Sequence, residues 1–365
     1  MLTVCSKKQD FLHRQTRDWL VRQMRTGKLK HGSKLPGERA LADLLKISRN
    51  TARVALQGLA EEGLIERIPS RGAFVKHKGE VRQTKLALIF PEVGISQEHL
   101  QYSNWVAASE IQRGLIHESM INNSVLSFQY LPVEDSIKNP AKYTDKLVNE
   151  YDGVFFVGDQ HEAIMNKLKL RQYPFAAVLK CASAPYMTYN RQEICLESAR
   201  YLIDRGARDI KMLIRDDDSF TSSMKFNAVK QAYEENNIDF SDKNIIVFPD
   251  PSDRKDEYLK LKEFFSDSSS KLPDAFYCAS PEIAFSVLQL AEEMNWKIPE
   301  ETMLMGYGNN VHFSPMASSL THVELPHYEM GRAVCHSILD KIISDKEIPE
   351  VQEIKAKLII GKTTR

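Results

Sequence analysis

The sequence predicts an α/β protein: a small helical head with a two-stranded wing, then a larger region of parallel sheets. Three features predict it. Residues 10–62 carry three apolar stripes at helical spacing, and short strand-like runs follow at 65–75. From residue 86 onward, short apolar runs alternate with helical patterns, as strand–helix–strand units do. Charge is divided along the same boundary. The 365-residue chain is neutral, with 49 Lys+Arg and 49 Asp+Glu, yet residues 1–78 hold 17 basic against 7 acidic residues. That head carries +10 and the remainder −10.

The first helix is predicted from "DFLHRQTRDWLVRQMRTG", 10–27, where Phe11, Leu12, Trp19, Leu20, Val21 and Met24 form one stripe and Gly27 stops it. "LKHGSKLPGERALADLLK" turns at Gly32 and Pro36. It starts a second helix near Gly37, with Ala40, Leu41, Leu44 and Leu45 expected inside. Ser48 suits the N-cap of a third helix, because its hydroxyl can accept from the first free N–H groups. That helix runs to about Glu62, and Gly63 ends it. Its inward stripe is Ala52, Ala55, Leu56 and Leu59. At about 100° per residue, Arg49, Arg53 and Gln57 lie roughly a right angle from that stripe. Ile65, Arg67 and Ile68, then Ala73, Phe74 and Val75, read as two strands around the turn Pro69–Gly72.

These residue types suit a polyanion. Ser48, Asn50 and Thr51 cluster at a helix start, where peptide N–H groups favour phosphate oxygens. Arginine forks match guanine edges and phosphates, and asparagine matches adenine. Two helices joined by a short turn, the second presenting polar groups at its start, make a helix-turn-helix. Ser70, Arg71 and Gly72 give the wing a basic tip that suits a minor groove, although a hairpin that only closes the small core would look the same. The charge division points to nucleic acid at the head; a merely soluble basic domain is the alternative.

The remaining composition is that of an ordinary soluble chain, 42% hydrophobic and 27% charged. No apolar run approaches the roughly 20 residues that span a bilayer. "MLTVCSKKQD" lacks the charged-then-apolar pattern of an export signal, so no membrane partner and a cytoplasmic location are expected. The 5 cysteines, at 5, 181, 195, 278 and 335, show no CxxC spacing and read as buried free thiols. Neither a cofactor nor a metal is expected, and no enzyme: there is no GxSxG elbow, GxxxxGK loop or HExxH pair. His312, His322 and His327 lack helical metal spacing.

The head resembles the winged helix-turn-helix of GntR-type bacterial regulators over about 10–78. The resemblance is carried by Leu35-Pro36 before Glu38-Arg39, Ser48-Arg49 with Thr51 and Arg53, the Glu62-Gly63-Leu64 ending, and the Gly72-Phe74-Val75 wing. It implies that Arg39, Arg49 and Arg53 contact DNA phosphates and bases and that Gly72 sits in the wing. Two positions depart from the pattern. Gly37 replaces the usual serine cap. Lys46 replaces the usual turn glycine, at a cost on the order of 1 kcal/mol if left-handed. The DNA-contacting set expected is Lys34, Arg39, Ser48, Arg49, Asn50, Thr51, Arg53, Arg71 and Gly72.

A polar linker at 79–85 leads into the body, 86–365. Its strand candidates are 86–90, 125–130, 153–157, 175–179, 210–214, 244–248, 275–278 and 302–305, with helical patterns between them such as 104–121, 191–205, 223–236, 255–265, 281–295 and 327–344. The body resembles the effector domain of LacI/GalR-type regulators, with the fold of periplasmic sugar-binding proteins. The resemblance is carried by "YDGVFFVG", "ESARYLIDRGARDIKML", "LPDAFYCASPEIAFSVLQLAEEMNWKIPEETMLMGYGN" and "LTHVELPHYEMGRAV". It implies two lobes, the first at about 86–181 and 308–325, the second at about 188–307 and 326–365, with a ligand at the carboxyl ends of the strands.

At the ligand positions the chain leaves that pattern. The usual Asp-Asn is Tyr189-Asn190, the usual arginine aligns near Ser222, the usual Asn-Asp is Ser280-Pro281, and Gly-Phe-Asp is Gly306-Tyr307-Gly308. Asp and Arg are the side chains that fork around sugar hydroxyls, and most are missing. Asn190 is kept, and Asn309 stands nearby. Tyr102, Trp105 and Tyr189 are aromatics that could line a cleft, although core packing is the commoner use of such rings. Asp159, just past a strand, and Asp216, in "RDDDSF", complete the candidate effector set of Tyr102, Trp105, Asp159, Tyr189, Asn190, Asp216, Ser222, Ser280 and Asn309. An unusual ligand, a protein ligand and a cleft without a ligand all remain open.

The function expected is a bacterial transcription regulator, a repressor as in most such architectures. A homodimer places two heads on a near-palindromic double-stranded DNA operator, under control of a small-molecule effector, a sugar or related metabolite. Helix 104–121 is the candidate dimer face. The alternatives are a regulator with no small-molecule effector, a ligand- or protein-binding module with a vestigial head, and an enzyme with a DNA-binding appendage.

Overall fold

Helix α1 (Cys5–Arg25) starts earlier than its apolar stripe; it packs on α3 (Arg49–Glu61), as does the short helix α2 (Glu38–Leu45). An antiparallel pair follows, β1 (Ile65–Ile68) and β2 (Gly72–Val75), registered Ile65 against Val75. The computed structural model describes residues 5–25, 27–76, 83–92, 102–178, 181–215, 220–248, 254–266, 271–309 and 319–365. Leu20, Val21 and Met24 of α1 meet Leu41, Ala52, Leu56, Leu59, Ile65 and Val75 in one buried core. Arg17 ties α1 to the end of α3 through a two-pronged contact with Glu62, both bonds 2.7 Å. The predicted inward stripe of α3 is the buried one. That of α2 is not: Leu41 and Ala42 are buried, Ala40 is exposed and Leu44 is 61% exposed. The cause is the turn. Lys46 is left-handed (φ 51, ψ 45), so the chain reverses at once and Ile47 packs back on the core.

The body has two six-stranded sheets. The first is ordered β13-β7-β6-β5-β3-β4 and the second β14-β12-β11-β10-β8-β9. The first uses β3 (Thr84–Glu92), β4 (Ser124–Pro132), β5 (Gly153–Phe156), β6 (Phe175–Ala177), β7 (Tyr186–Tyr189) and β13 (Val351–Ile354). The second uses β8 (Ile210–Arg215), β9 (Ile245–Phe248), β10 (Ala275–Cys278), β11 (Met303–Tyr307), β12 (Thr321–Glu324) and β14 (Lys357–Ile359). Between them run α4 (Tyr102–Ile121), α5 (Val133–Lys138), α6 (Pro140–Glu150), α7 (Glu162–Leu170), α8 (Arg191–Asp204), α9 (Phe220–Glu235), α10 (Arg254–Ser266), α11 (Pro281–Glu293) and α12 (His327–Ser344).

Parallel pairing of β3 with β4 and β5, and of β10 with β8 and β11, is what the strand–helix alternation requires. β3 and β10 are central strands, so their runs of Leu, Ala, Ile and Phe are buried. All the predicted strands are present. Sequence reading misses β7, β12, β13 and β14, which are three or four residues long and partly polar. Such segments become strands through the neighbours they pair with, not through a pattern of their own.

The chain divides by packing into two compact units. One holds Met1–Val93, Arg113–Tyr186 and Gly331–Glu350; the other holds Gly94–Gln112, Met187–Met330 and Val351–Arg365. This corrects the expected lobes, which placed 308–325 in the first and 326–365 in the second. Strand β12 pairs in parallel with β11, so it belongs to the second sheet. Most of α12 belongs to the first unit because it lies on β5. A Cβ at Gly153 would stand 2.6 Å from Ile338 Cγ2 and 3.2 Å from Ile342 Cδ1, so this close approach requires glycine. No helix of the described residues is long and apolar enough to cross a membrane.

Candidate nucleic-acid interface and effector cluster

The start of α3 is organised by Ser48. Its extended backbone (φ −71, ψ 148) and its Oγ, which accepts from the Thr51 N–H at 3.0 Å, form the predicted cap. Thr51 was expected on the presented side. It is instead 3% exposed, and its hydroxyl bonds Ser48 Oγ at 2.8 Å, so it holds the cap and shows nothing outward. Ser48→Ala is expected to remove about 1 kcal/mol from head stability, read as a lower unfolding midpoint.

Beyond the cap, the basic side chains stand outward. The Arg49 side chain is 76% exposed and meets Glu38 only at 3.4 Å. Arg53 is exposed and donates to Asn50 Oδ1 at 2.7 Å, which orients both groups on one face. Arg39 lies with Arg49 along a shallow groove that Gly37, Glu38, Ala40 and Asp43 complete. Lys34, Arg71 and Gly72 are exposed at the wing. Gly72 has φ 106, which an L side chain rarely adopts, and the Lys34 stem fills the space beside it, with Cε 3.2 Å from where a Cβ would be.

In the second unit, polar groups converge where β7, β10 and β11 end. Tyr307 donates to Tyr189 Oη at 3.1 Å, and both rings are buried. Arg191 lies over the Tyr189 ring at 4.6 Å, and His327 meets that ring edge-on at 6.2 Å. Lys225, 6% exposed, donates to Ala279 O at 2.6 Å and sits 4.1 Å over the Tyr307 ring. Asn190 bonds Glu193 at 3.0 Å and accepts from Ala356 N at 2.8 Å. Ser280 caps α11, and Asn309 makes a reciprocal pair of bonds with Leu325, 2.9 and 2.6 Å.

Burial favours the neutral forms of the tyrosines, the thiol and the imidazole in this cluster. It pushes the Tyr189, Tyr307 and Cys195 groups up. It also lowers His327 to about 4, with the Arg191 charge adding to the effect. The unfolded chain therefore binds the His327 proton more readily than the folded one. The stabilisation is full above about pH 6.5 and is lost as pH falls towards 4. The difference in unfolding midpoint between the parent chain and His327→Phe is expected to change across that window and to be flat above it.

Asp159 is exposed in the first unit. Asp216 and the side chains of Tyr102, Trp105 and Ser222 lie outside the described residues. Sequence reading passed over Lys225 and Arg191. A signal for Lys225 existed: it continues the buried α9 stripe of Ala228, Val229, Ala232 and Tyr233, where a lysine needs a reason. Among the described residues no group of three or more His, Cys, Asp or Glu side chains could hold a metal ion.

Residues 12–75 match bacterial regulatory proteins of the gntR family, and residues 199–364 match the periplasmic binding protein-like domain. Residues 12–75 are a gntR-type helix-turn-helix, and residues 199–364 are a periplasmic-binding-protein-like region. Over 162 residues the chain is 27% identical to the HTH-type transcriptional repressor PurR of Serratia proteamaculans (strain 568), which covers 44% of this chain and 46% of that repressor. The chain thus matches about half the length of these curated repressors. A LacI-family regulator from Rhizobium etli shares the fold, with a TM-score of 0.61 at 16% identity over 78% of this chain and 99% of its own. So does a LacI-family regulator from Enterococcus faecium solved with bound ribose, with a TM-score of 0.57 at 17% identity over 77% and 98%. In the gntR-type head the departures at Gly37 and Lys46 are both accommodated. Gly37 takes an extended cap conformation without a side-chain bond, and Lys46 adopts the left-handed turn.

Proposed function

We propose that the protein is a bacterial transcription regulator, a repressor, that binds a double-stranded DNA operator through the gntR-type head under control of a small molecule held by the body. One observation carries this reading. Arg49 and Arg53 stand outward on α3 beside the capped helix start, on a head whose net charge is +10. Lys34, Arg39, Asn50, Arg71 and Gly72 extend the same contact, while Ser48 and Thr51 hold its geometry. The reading assigns the chain no catalysis and a cytoplasmic site of action.

A homodimer is part of the proposal. Ile116, Met120 and Ile121 of α4, and Val125, Phe128 and Tyr130 of the edge strand β4, are exposed apolar side chains in one stretch of chain, with Met120 72% and Tyr130 66% exposed. A second copy covering them would pair two heads for two half-sites. The test is selection of duplexes from a random library by the full chain. Enrichment of a near-palindromic site, bound with a steep loss on adding salt, supports the reading; binding no tighter than to random duplex overturns it.

For the body, the effector is a sugar or related metabolite that meets Tyr189, Asn190, Lys225 and Arg191. A second reading, a regulator with no small-molecule effector, is favoured by one observation: Tyr307 already bonds Tyr189, and Lys225 already bonds Ala279. A thermal-shift panel of sugars, sugar acids, polyols and amines separates the two readings. A bound effector raises the midpoint by mass action, and a silent panel favours the second.

A further inference from the structure

The polar groups around Tyr189 and Tyr307 lie within the second unit, in Met187–Met330 and Val351–Arg365. Their hydrogen-bond capacity is one-sided. The carbonyl acceptors are used: Ala279 O by Lys225 at 2.6 Å, Asn190 Oδ1 by the Ala356 N–H at 2.8 Å, and Asn309 Oδ1 by the Leu325 N–H at 2.6 Å. Two donors are left over. Tyr307 donates to Tyr189 Oη at 3.1 Å, so the Tyr189 O–H has its own proton still to place. The Tyr277 hydroxyl is fully buried near Cys195 and Ser198, yet among the described residues it makes no hydrogen bond of good geometry. His327 Nδ1 is buried and unbonded in the same way, and a neutral imidazole can donate or accept there. Burial pushes all three phenols up, so each keeps its proton at neutral pH and stays a donor.

Charge leans the same way. The charged side chains that lie over the two rings are both cations, Arg191 on Tyr189 and Lys225 on Tyr307. The residues that follow β7, β10 and β11 are Asn190-Arg191, Ala279-Ser280-Pro281 and Gly308-Asn309, and none is acidic. The acids Glu193, Glu282 and Glu329 stand in the first turns of α8, α11 and α12, where peptide N–H groups favour them. Glu193 is further engaged by Asn190 at 3.0 Å and Lys355 at 3.7 Å. An oxyanion suits such a set. It brings lone pairs and no proton, and it answers two cations at once. A neutral hydroxyl brings a proton with every oxygen, and the carbonyls that would take it are occupied. We propose that the small molecule of the second unit is an organic oxyanion, a carboxylate or a phosphate ester, received by the Tyr189 and Tyr277 hydroxyls and by the charges of Arg191 and Lys225. The cluster's role as an effector site is taken from the regulator reading; the charge of the ligand does not depend on any effect on DNA.

Calorimetric titration of the full chain at fixed ionic strength tests it. The probes are matched sets: glucose, galactose, arabinose and ribose, each beside its sugar acid and its phosphate ester, with acetate and inorganic phosphate as controls. At least one acid or ester is expected to bind roughly tenfold or more tighter than its neutral parent, and the arm that binds tells carboxylate from phosphate. Arg191→Gln and Lys225→Met are each expected to weaken that probe about tenfold and to leave the neutral parent within about twofold, a split that a merely structural role would not give. Tyr277→Phe weakens it less. Arg49→Ala combined with Arg53→Ala leaves it unchanged, which separates the cluster from the basic head. Four results overturn the proposal: neutral sugars that bind as tightly as their acids and esters, an anion whose affinity survives in folded Arg191→Gln and Lys225→Met chains, inorganic phosphate or acetate that binds as well as the organic probe, or a silent panel. Duplex selection is scored separately. An enriched duplex with a silent panel removes the oxyanion and keeps the DNA-binding reading; a bound oxyanion without an enriched duplex does the reverse.

Discussion

Replacing Arg49 and Arg53 together by alanine is expected to abolish site-specific duplex binding by the full chain while leaving it folded. Each guanidinium that reaches a base edge or phosphate is worth roughly 1–3 kcal/mol, about 5- to 150-fold in affinity. The two side chains are one helical turn apart and share Asn50 as a neighbour, so their losses need not add. The double variant is expected to lose about a hundredfold or more on the selected site, and its salt dependence becomes shallower because fewer phosphates are neutralised. Folding is spared because neither side chain enters the core of Leu20, Leu41, Leu56 and Leu59. Arg49→Ala alone also removes the 3.4 Å contact with Glu38, which keeps Arg67 as a partner at 3.9 Å. Gel-shift or fluorescence-anisotropy titration at two salt concentrations reads both effects. Parent-like affinity in the double variant ends the assignment of α3 as the recognition helix.

Phe276→Ala is expected to be the most damaging single change in the body, at roughly 3–5 kcal/mol. The ring is fully buried on β10, stacked on Trp296 at 5.9 Å and 12°, with Phe265 edge-on at 5.5 Å. Removing it opens a cavity between β10 and α11 that Leu261, Ile283 and Leu304 cannot close without moving strands. The strand also positions the site, since Ala279, the residue that follows it, supplies the carbonyl that holds Lys225. The variant should therefore unfold its second unit at lower urea and lose any thermal shift given by an effector. A change of midpoint equivalent to less than about 1 kcal/mol would show that this core is not closely packed.

Short-range features were legible from residue order. The cap at Ser48, the stop at Gly63 and the stripe Ala52-Ala55-Leu56-Leu59 each involve residues within one or two turns of one another, so helical periodicity and capping chemistry are enough to find them. The buried strands β3, β5 and β10 announced themselves as continuous apolar runs. The outward arginines followed from the same wheel: a stripe that is buried defines the side that is not. Lys225 was legible in principle, as a cation on an otherwise apolar stripe.

The sequence by itself determined which elements form in the head, which buried apolar strands form the centres of the sheets, and which guanidinium groups face outward. Tertiary structure alone decided that Leu44 is left outside, that Thr51 turns inward, that β12 joins the second sheet and that α12 meets the head. These depend on which distant surfaces bury one another. Arg22 finds His336 across 314 positions, and His336 finds Glu118 across 218. No local period encodes such partners, because their stabilisation comes from shielding a particular pair of side chains from water, which only the assembled units provide.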